Sequence, residues 1–205
     1  MTKHQDAPFS EPYEPNSYYD PRFEKQAVKI LPGEYFATSN DVMIVTVLGS
    51  CVSVCLRDPF AGIGGMNHFL LPNDHVQQQE QFSRPARYGR HAIDILISEI
   101  EKLGALRTRL EAKVFGGGNV LKGLTVSNIG DMNSDFVLNY LSELNIPIAA
   151  QDLLDIYPRK VYFFPKTGQV LVKKIKHLNN TTIVERESAY RMKLSADDQW
   201  HTVEK

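Results

Sequence analysis

Cys51 and His68 are the residues whose types and spacing best suit covalent chemistry in this chain. A free cysteine, with a reference pKa of about 8.5, is only a few per cent thiolate at neutral pH, so a nucleophilic cysteine needs a base or a positive field beside it. Cys51 follows Gly49-Ser50 at the start of an apolar run. A tight turn there presents the sulfur at a sheet edge and aims backbone N–H groups at the same spot, and such groups are the material of an oxyanion hole. His68 lies seventeen residues later in the following strand-like run, with the Asp58-Pro59 turn between. If the two runs pair, the side chains meet across a sheet. The remaining histidines suit the role less well: His4 and His201 lie in the flanks, His75 and His91 in polar surroundings, and His177 after a lysine-rich run. A cysteine or histidine in an apolar strand is more often core filling, so spacing alone leaves both readings open.

Cys55 shares a strand face with Cys51 by the period of two. Four strand residues separate their Cα atoms by roughly 13 Å, beyond the ~7 Å limit of a disulfide. Cys55 therefore reads as buried filler, and C-x-x-x-C without further ligands is a poor metal signature. Gly116-Gly117-Gly118 lacks the G-K-[ST] ending of a phosphate loop and reads as a close backbone approach beside the sheet. Lys173, Lys174 and Lys176 suit the protected edge of a strand. Asn179 and Asn180 each begin an N-x-T pattern, which has no glycan to carry without a secretory signal.

These residues must be positioned by short β-type runs. Val42 to Leu48, Cys51 to Leu56 and Gly62 to Leu71 predict three neighbouring strands, followed by Leu110 to Phe115 and Ile148 to Leu153. Lys160 to Phe164 and Val170 to Ile175 form a hairpin around Pro165-Lys166-Thr167-Gly168, with Ile183-Val184 as one more strand. The stripe Ile93, Leu96, Ile97, Ile100, Leu103 predicts a helix over 89–103, stopped by Gly104. Val137, Tyr140, Leu141 and Leu144 predict a second over 134–144, capped by Asn133 or Ser134. Many strands with two main helices indicate an α+β layered single domain. The domain is expected over 26–187. A proline-rich arm over 1–25 is extended or packs along the domain or a partner, and a polar tail over 188–205 is loose or docked on the surface.

The chain has 205 residues, 42% hydrophobic and 23% charged, which suits a globular core rather than a disordered or membrane-embedded protein. A net charge of −1 argues against nucleic acid as a partner. Two cysteines exclude a disulfide scaffold, and no run approaches the ~20 apolar residues of a membrane span. A cytoplasmic protein without membrane insertion, metal or cofactor is expected.

The segment L-G-S-C-V-S-V-C-L-R-D-P-F-A-G-I-G-G-M-N-H-F-L-L-P, from Leu48 to Pro72, resembles the signature of the CheD family, the chemoreceptor glutamine deamidases of bacterial chemotaxis. The resemblance continues through A-K-V-F-G-G-G-N (Ala112 to Asn119), N-I-G (Asn128 to Gly130) and R-K-V-Y-F-F-P-K-T-G-Q-V-L-V-K-K (Arg159 to Lys174). It implies a layered α/β/β fold similar to the catalytic domain of the cytotoxic necrotizing factor toxins. It also implies a catalytic set of Cys51, His68 and Thr46. Leu154-Asp155 stands where a glycine pair is common, and Met132 where an arginine is common. On this reading Cys51, activated by His68 and with Thr46 orienting the imidazole, hydrolyses receptor glutamine to glutamate and ammonia through a thioester. Asn67 is the weaker candidate for the orienting place, because successive strand residues face opposite sides. Receptor methylester hydrolysis is a related activity. The rival class is an adaptor binding chemoreceptor cytoplasmic domains or a CheC-type phosphatase, and a thiol redox role ranks third.

Overall fold

The β-branched runs pair into two five-stranded sheets that stack face to face, with helices on the outside of one of them. The computed structural model describes residues 16–71, 84–119, 129–176 and 182–196. Sheet one has the order β1-β2-β4-β9-β10, from Asn16–Asp20, Lys25–Lys29, Met43–Leu48, Arg159–Phe164 and Gln169–Lys174. Sheet two has the order β3-β6-β5-β7-β8, from Tyr35–Thr38, Ile63–Asn67, Val52–Asp58, Glu111–Gly116 and Ile148–Leu153. Helices α1 (Arg84–Lys102) and α2 (Ile129–Glu143) cover sheet two, and α3 (Thr182–Ala196) follows the last strand.

Alternation along the strands explains the layering. In β5, Val52, Val54 and Leu56 join Ile93, Leu96, Ile97 and Ile100 of α1 and Val137 and Leu141 of α2 in one core. The opposite face carries Cys51 and Cys55, which meet Ile44, Leu48, Val161 and Phe163 of sheet one in a second core between the sheets. A third cluster, with Met43, Val45, Tyr162 and Phe164, lies on the outer face of sheet one. The architecture is α/β/β, the α+β layered domain expected from the sequence.

Several local expectations are corrected. The runs 42–48, 51–56 and 62–71 are not three neighbours: β4 lies in sheet one, while β5 and β6 pair in sheet two. Gly49-Ser50 is the step between sheets, a change that a hydrophobic run does not signal. Helix α2 begins at Ile129, so Asn133 and Ser134 are interior and buried rather than capping. Ile183-Val184 is helical rather than a strand, in α3, which runs on through Ser188 to Ala196. In α1 the stripe is buried as far as Ile100, but Leu103 lies past the end and is exposed. Of the N-terminal segment, residues 16–20 form an edge strand, and the Phe23 ring packs 5.1 Å from that of Tyr162. His4, His75, His177, His201, Asn179, Asn180 and Trp200 lie outside the described residues.

The turn after β5 is tied by Asp58, whose carboxylate accepts from the N–H groups of Phe60, Ala61 and Leu106 and pairs with Arg109 at 2.6 Å. Burial opposes its ionisation, but these bonds outweigh burial and bring its pKa down to about 2. At the far end of β7, Gly116 has φ +117°, and a Cβ there would overlap the Cys51 carbonyl oxygen. Gly116→Ala is expected to cost roughly 2–4 kcal/mol in denaturant unfolding, and a loss below about 1 kcal/mol would contradict the close approach.

Candidate active site

Thr46 sits in the middle of β4 on the face turned toward sheet two, beside Ile44 and Leu48. Its hydroxyl donates to the Ile30 carbonyl at 2.9 Å and stands 2.7 Å from His68 Nδ1. A threonine hydroxyl has one proton, and here Ile30 receives it. The bond to the imidazole therefore runs from Nδ1–H to the Thr46 oxygen, and Nε2 carries the lone pair. Among the described residues Nε2 is buried without a hydrogen-bond partner. The His68 backbone is pinned on both sides: its N–H donates to Glu34 and its carbonyl accepts from Gly33.

The bridge between Val52 and Phe69 sets the relation of Cys51 to His68. It continues the β5–β6 register, in which Cys55 faces Met66. Cys51 thus lies opposite Leu70, and His68 two residues back on the same face, the diagonal relation that spans roughly 7–8 Å between Cα atoms. Both side chains are buried between the sheets. Burial holds the imidazole well below the ordinary histidine value, against the pull of the nearby Glu187 carboxylate. At neutral pH His68 is accordingly an uncharged base.

The segment Gly49-Ser50-Cys51 is clamped from behind. Its carbonyls accept, in order, from Gly118 N–H at 2.7 Å, Asn133 Nδ2 at 2.8 Å and Gly117 N–H at 2.8 Å. With the oxygens held on one side, the three N–H groups turn to the other and meet the buried carboxylate of Glu187 in α3, Gly49 and Cys51 on Oε1 and Ser50 on Oε2. Gly49 donates at 2.8 Å, Ser50 at 3.0 Å and Cys51 at 3.2 Å, and the Ser50 hydroxyl adds a bond of 2.7 Å. The segment is a seat for an anionic oxygen beside a thiol.

The surroundings complete the wall. Burial, with Cys51 nearby as a second cause, pushes the Tyr88 phenol up to about 12, and its hydroxyl is bonded to that of Tyr190 in α3. A cavity of about 20 Å³, room for one water molecule, is lined by Thr46, His68 and Glu187. Burial pushes the Cys55 thiol far above its usual range, the state of an inert core thiol. Asn67 accepts from Val54 N–H and donates to the Ala92 carbonyl, so it faces α1 and not the imidazole. Among the described residues no group of three metal-ligating side chains could hold an ion. No described helix is long and apolar enough to cross a membrane.

Sequence reasoning misses Asn133 and Glu187. Asn133 reads as a helix cap, and Glu187 is 136 residues from Cys51, with no local pattern linking them. The triple glycine is legible as a close approach but not as the clamp behind Cys51. Leu154 and Asp155, where the resemblance expects glycines, adopt φ +63° and +77°, and Leu154 N–H bonds to the Gly116 carbonyl. The backbone shape of a glycine pair is thus retained without the glycines.

The family described as "CheD chemotactic sensory transduction" matches residues 70–174. A protein of Shewanella oneidensis named "Probable chemoreceptor glutamine deamidase CheD 1" is 65% identical over 181 residues, 88% of each chain. The chain belongs to the CheD family. A CheD protein of Laribacter hongkongensis is 57% identical over 178 residues, covering 87% of this chain and 86% of the relative. One of Methylobacillus flagellatus is 53% identical over 191 residues, covering 93% and 94%. The family match begins at Leu70, just past His68, but an alignment of 181 residues within 205 necessarily spans residues 46–68.

Asn133 holds the crossover of this CheD chain from the helix side, and its Oδ1 also accepts from Leu71 N–H at 2.9 Å. Asn133→Ala leaves a buried N–H and a buried carbonyl without these bonds. It is expected to cost about 2–3 kcal/mol in denaturant unfolding, and an unchanged midpoint would contradict the clamp.

Proposed function

We propose that this chain is a chemoreceptor glutamine deamidase of bacterial chemotaxis, with Cys51 as nucleophile, His68 as base and Thr46 as the residue that orients the imidazole. The observation that carries the reading is the convergence of three successive N–H groups, one from Cys51 itself, on a side-chain carboxylate next to an uncharged histidine whose Nε2 is open. The names of the CheD relatives point to the same reaction. The substrate in this reading is a glutamine of a receptor cytoplasmic domain, and the compartment is the cytoplasm.

The reaction follows from the proton inventory. His68 Nε2 takes the Cys51 proton as sulfur attacks the carboxamide carbon, while Nδ1–H remains on Thr46. The tetrahedral oxyanion is received by the N–H groups of Gly49 and Cys51, which share one carboxylate oxygen of Glu187 in the structure. The imidazolium then gives its Nε2 proton to the departing nitrogen, the C–N bond breaks and ammonia leaves a thioester on Cys51. Water activated by His68 then hydrolyses the thioester. The sum is carboxamide and water to carboxylate and ammonium. A neutral cysteine–histidine pair, instead of a preformed ion pair, is what a buried, depressed histidine supports.

The test is incubation with a chemoreceptor cytoplasmic fragment, reading ammonia release and glutamine-to-glutamate conversion by mass spectrometry. Wild type is expected to convert the fragment and Cys51→Ala to lose conversion. No conversion by the chain in any form, or undiminished conversion by Cys51→Ala, overturns the reading, and receptor binding without turnover would favour an adaptor. Thr46→Val is expected to lower kcat by about tenfold or more with little change in KM, and Thr46→Ser to restore it. The profile of kcat/KM also carries a sign. The base must be neutral and burial depresses its pKa, so activity persists as pH falls through about 6.5 and declines only below it. An acid limb centred at or above that value contradicts the neutral pair.

A further inference from the structure

The group seated on the three N–H donors belongs to the chain itself. Glu187 places its carboxylate where the deamidation reading puts the reacting carboxamide, and a carboxylate is what the reaction leaves there as product. Cys51 and His68 are both buried, and the cavity of about 20 Å³ beside His68 and Glu187 has room for a water molecule but not for a substrate side chain. With α3 in place, the site is closed.

The attachment of α3 is suited to release. Glu187, Tyr190 and Leu194 lie on one side of the helix, at i, i+3 and i+7. Glu187 and Leu194 are buried and Tyr190 is partly so, whereas Glu185, Arg186, Ala189 and Met192 face outward. One of the three inward residues is thus a carboxylate, which gains little from burial unless its hydrogen bonds are made. The other fixed point is Tyr190, whose ring lies against Gly33 and whose hydroxyl bonds that of Tyr88. Gly33 has φ +88° and Gly49 faces the Glu187 carboxylate, so the body is shaped to receive both side chains.

We infer that Glu187 is a resident pseudo-product: α3 holds a glutamate side chain in the seat of the reacting carboxamide, and turnover on another protein requires α3 to leave. The inference rests on the deamidase reading of the same site. By the same chemistry, a glutamine at position 187 would be presented to Cys51 as an intramolecular substrate. The Sγ–C bond would form, the C–N bond would break with ammonia leaving on the proton from His68, and water would return the side chain to glutamate.

The test uses the full chain and a glutamine-bearing chemoreceptor cytoplasmic fragment, with conversion read by mass spectrometry. Glu187→Ala and, separately, Tyr190→Ala release α3 through different contacts. Each is expected to raise kcat/KM by about tenfold or more, since the apparent affinity of a site scales with the fraction of molecules in which it is open. Glu187→Gln is expected to be recovered with glutamate at 187, and the same variant carrying Cys51→Ala to keep its glutamine. Released variants that convert the fragment while wild type does not also support the inference. If wild type is active and both alanine variants, folded by their cooperative melting, are no faster, the inference falls and the deamidase reading stands. Glu187→Gln that keeps its glutamine while converting the fragment has the same meaning. No conversion by wild type or any variant overturns both.

Discussion

The hydroxyl of Thr46 has a single proton, and the structure commits it to the Ile30 carbonyl. Everything at the site depends on that commitment. It makes His68 the donor in the Thr46–His68 bond, which puts the proton on Nδ1 and leaves Nε2 as a lone pair on the face shared with Cys51. It also joins the two sheets, because Thr46 belongs to sheet one and the imidazole follows β6 of sheet two. The apolar core between the sheets, with Ile44, Leu48, Met66, Leu70, Val161 and Phe163, brings the threonine to the histidine. Burial in that core then keeps the imidazole neutral.

The second constraint is the step from one sheet to the other at Gly49-Ser50-Cys51. A strand would point successive N–H groups to opposite sides, but here the carbonyls are held from behind by Gly117, Gly118 and Asn133. All three donors therefore face the site, and the sulfur comes from the last residue of the same segment. Donors fixed in advance need no reorganisation when negative charge develops before them, which is the source of the catalytic worth of such seats. The same preorganisation explains why a carboxylate from α3 is accepted in the absence of a reacting group.

Much of this is legible in the residues. The period of two places Cys51 and Cys55 on one face, and the lengths of the β-type runs point to a layered α+β domain. The motif from Leu48 to Pro72 singles out Cys51 and His68 before any geometry. What escapes is long-range. The transfer of β4 to a different sheet depends on its pairing with β9, more than a hundred residues later. Asn133 has the sequence context of a helix cap but a buried structural role, because α2 starts a turn earlier than its apolar stripe suggests. Glu187 sits in a polar segment whose meaning comes only from the donors it meets across the fold. Local patterning reports periodicity and turns, and it does not report which distant group satisfies a buried polar atom.

At the centre of the site, Thr46 accepts a hydrogen bond from Nδ1–H of a neutral His68. Nitrogen-15 NMR of the histidine-labelled chain at neutral pH tests this most directly, with Thr46→Val to assign the responding ring. The expected result is a neutral His68 ring, protonated at Nδ1 and bare at Nε2, and loss of that tautomeric preference in Thr46→Val. A ring protonated at Nε2, or an imidazolium at neutral pH, would contradict it.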